Sequence, residues 1–279
     1  MIKTISYWSL IGGWEDKLSP IDALKSAKEY GFSAVELVLG SGDFINMKTK
    51  EKDIKEIIDY SEKINVKISS LASVQFFKNN MASSDKNERD NSKELIRKMI
   101  EIASWLKVDK ILVIPGIVDN LLYPDKETVS YDKAYERTID VLDDLKKDAE
   151  DKKIKICMEN VWNKFLLSPL EMKGIIDSFN SDYIGSYFDV GNVMLYGYPE
   201  QWIRILGHRI KGVHFKDFKR KIGTMDGFCN LLEGDVNFKE VMSALKEIGY
   251  DDYIASEVMP AEKSIIEKTS AAFDEILNY

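Results

Sequence analysis

Tyr183–Asp217 reads YIGSYFDVGNVMLYGYPEQWIRILGHRIKGVHFKD. An apolar, aromatic run in it ends on Asp189, a helical stretch opens at Pro199, and a second β-branched run ends on His214. That is one strand–helix–strand unit with a polar side chain at the carboxyl end of each strand. Outward in both directions the unit repeats. Strands are expected at Ile2–Tyr7, Ala34–Leu39, Lys67–Ala72, Lys110–Ile114, Lys155–Glu159, Ile184–Asp189, Ile210–His214 and Tyr253–Glu257. Amphipathic helices are expected at Pro20–Tyr30, Glu51–Ile64, Asn87–Leu106, Tyr131–Asp151, Pro169–Phe179, Pro199–Leu206, Phe238–Ile248 and Ala261–Leu277. Pro20, Pro169 and Pro199 are pre-shaped for a first helical turn. Gly31 in KEYGFSAVEL and Gly249 in KEIGYDDYIASE fall where a left-handed cap would return the chain to the next strand. Eight strands and eight helices in strict alternation predict an α/β fold, a closed (β/α)8 TIM barrel forming a single domain over residues 1–279. A doubly wound open sheet is the architectural alternative.

Composition narrows the function classes. With 44% apolar residues the chain can bury a large core, and no Gly/Ser- or Pro-rich linker divides it. The net charge of −8 argues against nucleic acid as a partner, since that affinity rests on a Lys/Arg surface. MIKTISYWSL lacks the features of a secretory leader, and no run approaches the roughly 18 apolar residues of a membrane span. The expectation is a soluble, cytoplasmic protein with no membrane partner. Cys157 and Cys229 have no metal-ligand spacing and read as reduced thiols.

In a barrel of this kind the working groups lie at the carboxyl ends of the strands. The last four expected strands end on Glu159, Asp189, His214 and Glu257, at spacings of 30, 25 and 43 residues, one unit per side chain. Three carboxylates and an imidazole form a hard, oxygen-dominated donor set for one divalent ion, Mn²⁺, Mg²⁺ or Co²⁺, with Zn²⁺ also admissible. Other residues expected on the same rim are candidates for substrate. Lys216 and Arg220, with Lys219 and Lys221, could meet a sugar phosphate or acid. Trp8 and Trp14, with Trp162, could wall the apolar face of a sugar. Glu36, spaced after its helix like Glu257, either binds substrate or pairs with a buried lysine. The remaining histidine, His208, reads as structural.

The residues also resemble the xylose isomerase-like barrel superfamily of sugar phosphate isomerases and epimerases. That superfamily includes ketose 3-epimerases, L-xylulose 5-phosphate 3-epimerases, inosose dehydratases and endonuclease IV. The most specific pieces are MEN at Met158–Asn160, FDVGN at Phe188–Asn192, HRIKGVHFKD at His208–Asp217 and EGDVNFKEVMSALKEIGYDDYIASE at Glu233–Glu257. The resemblance implies a single divalent metal, most often Mn²⁺, on Glu159, Asp189, His214 and Glu257. It further implies that Glu159 and Glu257 are the catalytic acid/base pair for 3-epimerisation of a ketose or ketose phosphate through an enediolate, in a dimer or tetramer. Two departures bear on the substrate. Asn192 stands where tagatose- and psicose-type epimerases carry a histidine, which looks more like the enzymes for phosphorylated sugars, and ENVWNKFLL lacks a further glutamate. Arg220, six residues after His214, matches an arginine that contacts substrate hydroxyls in the free-ketose enzymes.

Three competing readings remain at this level. A keto-inositol (inosose) dehydratase or isomerase would use the same metal and an enolate. An endonuclease IV-like repair enzyme needs a histidine-rich metal cluster, which two histidines and an acidic balance do not supply. A non-catalytic sugar-binding protein would keep the scaffold without the reaction.

Overall fold

The computed structural model describes residues 1–279, and in it eight parallel strands close on themselves. They are β1 (Ile2–Ser6), β2 (Ala34–Val38), β3 (Lys67–Ala72), β4 (Lys110–Val113), β5 (Lys155–Glu159), β6 (Ile184–Asp189), β7 (Ile210–Phe215) and β8 (Tyr253–Ser256). β2, β4 and β6 are buried at every position, as expected where helices cover the outer face and side chains fill the inner one. Pairing of Ile2 with Tyr253 and of Thr4 with Ala34 seals the ring through β1, which excludes the open sheet.

The outer layer is α1 (Pro20–Glu29), α2 (Glu51–Ile64), α3 (Lys86–Leu106), α4 (Tyr131–Lys152), α5 (Pro169–Ser178), α6 (Pro199–Leu206), α7 (Phe238–Glu247) and α8 (Lys263–Leu277). Their starts follow local chemistry. Ser19 and Ser168 precede Pro20 and Pro169 and accept bonds from the Asp22 and Glu171 amides; Glu171 answers to the Ser168 amide as a capping box. Their ends do likewise. Gly31 and Gly249 adopt φ of +77° and +71°, and the Phe32 and Tyr250 amides reach back to Ala27 and Leu245 carbonyls at 2.8 and 2.9 Å. Observed bounds lie within two residues of the expected ones. Tyr7 opens a short 3-10 turn instead of ending β1, and Glu257 follows β8 instead of closing it.

One element has no counterpart in the sequence reading. In the loop between β7 and α7, Asp217–Phe218 and Phe228–Cys229 form a small antiparallel hairpin. Two-residue strands are too short to display alternation. At the opposite, amino-terminal end of the barrel, Lys110 opens β4 with its ammonium 2.5 Å from Asp252 and 3.4 Å from Asp109. β4 and β8 face each other across the ring, so this side chain plugs the barrel floor. No helix is long and apolar enough to cross a membrane.

Candidate metal centre and its cavity

Closure of the ring brings Glu159, Asp189, His214 and Glu257 together at the carboxyl ends of β5 to β8, with one potential ligand atom from each lying within 4.8 Å of the others. The turn after β6 fixes Asp189. Its Oδ1 accepts the Gly191 and Asn192 amides at 2.9 and 2.8 Å, and Asn160 brackets its backbone by accepting the Asp189 amide and donating to its carbonyl. Oδ2 is thereby turned inward. Asn192 donates to the Asn160 carbonyl at 2.9 Å and reaches Glu159 Oε1 at 3.4 Å, tying the ends of β5 and β6. Gly191 is required by contact: a Cβ there would lie 2.5 Å from Lys216 Cβ.

His214 is oriented from behind. Its Nε2 lies 2.9 Å from Glu36 Oε1, and Glu36 also accepts the Ser70 hydroxyl at 3.0 Å. With the Nε2 proton spent on Glu36, Nδ1 faces Glu257, Glu159 and Asp189 at 2.8, 3.5 and 3.8 Å. Gly212 leaves room for the Tyr187 ring, which packs beside the imidazole. Asp189 Oδ2 and His214 Nδ1 are buried and make no well-aligned hydrogen bond, only charge contacts, to Lys216 at 3.1 Å and to Glu257 at 2.8 Å. Two buried polar atoms without an aligned hydrogen bond, converging among carboxylates, fit a divalent cation, and this donor set could hold one.

The electrostatics agree. Burial pushes the Glu159 and Asp189 carboxyls up from their usual range. Burial opposes ionisation of Glu257 too, but Lys216 and His214 hold it at about 2. His214 is raised well above its ordinary value, burial being outweighed by Glu36 and Glu257. Lys216 Nζ stands 3.1 Å from Asp189 and 2.9 Å from Glu257. The centre therefore gathers positive charge from every available source.

Above it opens a cavity of about 1030 Å³ that exposes Glu159 and Glu257 but not Asp189 or His214. Asn192, Lys216, Trp8, Trp14 and Trp162 line it. Trp8 and Trp14 meet edge to face at 6.5 Å, and Trp162 packs on Phe228 of the hairpin while donating Nε1 to the Asn192 carbonyl. Two candidates for substrate lie elsewhere. Glu36 is fully buried behind His214, touching neither cavity nor lysine, because the tilt of strands in the closed ring sets it below the rim. Arg220 is exposed in the hairpin loop with its guanidinium 5.7 Å from the Tyr198 ring, outside the cavity. His208 lies at the far end of β7.

The chain matches the xylose isomerase-like TIM barrel family over residues 24–275. It is a xylose isomerase-like TIM barrel. An uncharacterized protein of Methanocaldococcus jannaschii is 28% identical to it over 241 residues, 84% of this chain and 78% of that one. Among solved structures, a D-tagatose 3-epimerase-like protein superposes with a TM-score of 0.80 at 25% identity, covering 100% of this chain and 97% of that one. D-psicose 3-epimerase from Clostridium cellulolyticum H10, in a complex with D-tagatose, gives 0.81 at 15% identity, covering 100% and 99%. An IolI protein with a bound zinc atom gives 0.73 at 17%, covering 99% and 96%.

In this xylose isomerase-like barrel several residues matter that the sequence reading did not single out. Asn160 positions Asp189, and Ser70 with Tyr187 supports Glu36. Phe228, Met225 and Met259 wall the cavity from the last two βα loops. Asn160 had a signal in the MEN motif; the loop residues had none. Asp217 of HFKD anchors the β7–α7 loop by accepting the Phe218, Gly234 and Val236 amides at 2.8 to 3.1 Å, which explains the glycine of EGDV: a Cβ on Gly234 would strike that carboxylate.

Proposed function

We propose that this barrel is a metal-dependent carbohydrate isomerase that epimerises a ketose or ketose derivative beside its carbonyl through an enediolate. The observation that carries this reading is the division of labour among the four converging side chains. Asp189 and His214 are sealed below the cavity, whereas Glu159 and Glu257 open into it from strands three places apart in the ring. A divalent ion on these residues would supply the electrophile that makes a proton next to a carbonyl acidic enough to remove. Mn²⁺ suits three carboxylates and an imidazole; Zn²⁺, present in the IolI structure, is the alternative ion.

The chain's own groups then do the proton work. One glutamate takes the proton from one face of the sugar and the other returns a proton to the opposite face, which inverts the carbon. Lys216 steadies Glu257 through its 2.9 Å contact and offers positive charge to the developing oxyanion. Asn192 steadies Glu159, and Trp162 of the wall packs on the apolar face of the sugar.

Incubating the Mn²⁺-loaded protein in D₂O with ketoses, ketose phosphates and inososes tests the reading. Deuterium is expected at the carbon beside the carbonyl of the accepted substrate, with a change of configuration and no loss of mass as water. Protein that binds metal but exchanges none of them would sink the enediolate mechanism. Glu159→Gln and Glu257→Gln are each expected to lower turnover by at least about a thousandfold; an active variant would remove that residue from the proton-transfer pair.

A further inference from the structure

The cavity is divided by chemistry along its depth. Its floor carries Glu159, Glu257, Asn192 and Lys216, the only polar groups close to the metal centre that it exposes. Its mouth is a collar of Ile11 and Trp14 from the β1–α1 loop, Leu121 and Leu122 from the β4–α4 loop, Met225 from the β7–α7 loop and Met259 from the β8–α8 loop. These six side chains, 38 to 56% exposed, come from four separate loops yet line one continuous space with the floor. Scattered exposed apolar residues need no explanation; a ring of them around the entrance to a reactive centre does.

Size and charge restrict what fits. At about 1030 Å³ the cavity is at the upper end of the range of roughly 300 to 1,000 Å³ for small-ligand clefts. A single hexose resting on the floor would leave the collar in water. The charged residues nearer the mouth are Glu15, Asp226 and Glu262 against Lys17 alone. Lys216 is engaged with Asp189 and Glu257, Arg220 lies over Tyr198, and Lys219 and Lys221 do not line the cavity, so its lining offers a phosphate no cluster of free cations.

We propose that the substrate is an uncharged keto-sugar glycoside whose sugar rests on the polar floor and whose apolar aglycone fills the collar. The proposal rests on the isomerase reading for what happens to the sugar, and adds to it the class of molecule that carries that sugar. An aromatic or branched apolar group would replace water against Trp14 and Leu122, and the buried Trp8, edge to face with Trp14, backs that ring from below.

The test compares the methyl and phenyl glycosides of one 3-keto-glucose, together with its 6-phosphate, by calorimetry on the Mn²⁺-loaded protein. The phenyl glycoside is expected to bind about tenfold or more tightly than the methyl glycoside, about 1.4 kcal/mol, and the 6-phosphate no better than the methyl glycoside. Trp14→Ser and Leu122→Ser, both at exposed positions, are expected to bring the phenyl-to-methyl ratio toward one. Equal affinity for the two glycosides, or tighter binding of the 6-phosphate, overturns the proposal. So does a finding by sedimentation that these substitutions split a dimer while leaving the ratio unmoved, since the collar is then a contact between copies. Deuterium exchange on the same compounds in D₂O separates this failure from that of the isomerase reading. Equal exchange efficiency with both glycosides overturns the aglycone assignment alone; a clear phenyl preference in binding without exchange supports it and sinks the isomerase reading.

Discussion

Glu36 decides which nitrogen His214 can offer a cation. Because Nε2 bonds to a fully buried carboxylate, the tautomer with a free Nδ1 lone pair is favoured and the ring is held edge-on to the centre. Glu36→Gln retains an acceptor but removes the charge. Calorimetric titration should show Mn²⁺ affinity reduced about 10- to 100-fold with the circular dichroism spectrum unchanged; unaltered affinity would mean that Glu36 does not orient the ligand. In the sequence Glu36 and Glu257 are nearly indistinguishable, each a strand-end glutamate after a helix and a Gly-aromatic pair. What separates them is depth. Along the ladders both register with Ser6 of β1, Glu36 directly and Glu257 one step past the Ile5–Ser256 pair, so it is the tilt of strands in the closed ring that sets their depths apart, and no local sequence shows it. Arg220 is a similar case: its spacing from His214 is plain, but the hairpin that carries it leaves no periodicity to read.

The elements that carry the four candidate ligands are held by their turns more than by their lengths. After β6 the chain must reverse while delivering two amides to Asp189 Oδ1, and it does so pressed against the backbone of Lys216 just beyond β7. Gly191→Ala would set a Cβ 2.5 Å from Lys216 Cβ and 3.0 Å from its carbonyl carbon. The expected cost is about 1 to 3 kcal/mol of stability, with Asp189 displaced. Denaturant unfolding and Mn²⁺ titration of the variant should both shift; wild-type values in both would show that the turn has slack. Strand ends of the β5–β8 half were legible because one metal-competent residue terminates each apolar run. The walls of the cavity were not, since Met225, Phe228 and Met259 are placed by loop conformation and not by any repeating pattern.

On the scale of the molecule, the two ends of the barrel have opposite duties. The carboxyl end concentrates buried carboxylates around a centre that wants a cation, whereas the amino end supplies its own in Lys110. Burial disfavours the Lys110 charge, but Asp252 and Asp109 outweigh it and raise the ammonium above its ordinary 10.5. Asp109, despite burial, is held below 3.8 by Lys110 and Lys155. A raised amine stabilises the fold below its unfolded value and loses that contribution as pH climbs through the folded one; a lowered carboxyl stabilises above its unfolded value and loses it as pH falls. Lys110→Met should therefore cost about 1 to 3 kcal/mol at neutral pH, the partners being partly exposed. In urea titrations the gap from wild type should narrow below pH 3.8 and above 10.5; a gap independent of pH would mean that packing, not charge, is what the lysine provides. The alternation of strands and helices made the ring itself readable, yet the floor plug joins residues 142 apart in sequence and no local pattern announces it. Closure also has an order in time. During synthesis Glu159, Asp189 and His214 leave the ribosome first, and Glu257 comes last, just beyond β8, the strand that pairs with both β7 and β1. If an ion is held by all four side chains, its full coordination requires β8 paired with both neighbours, so tight cation binding would report a closed ring.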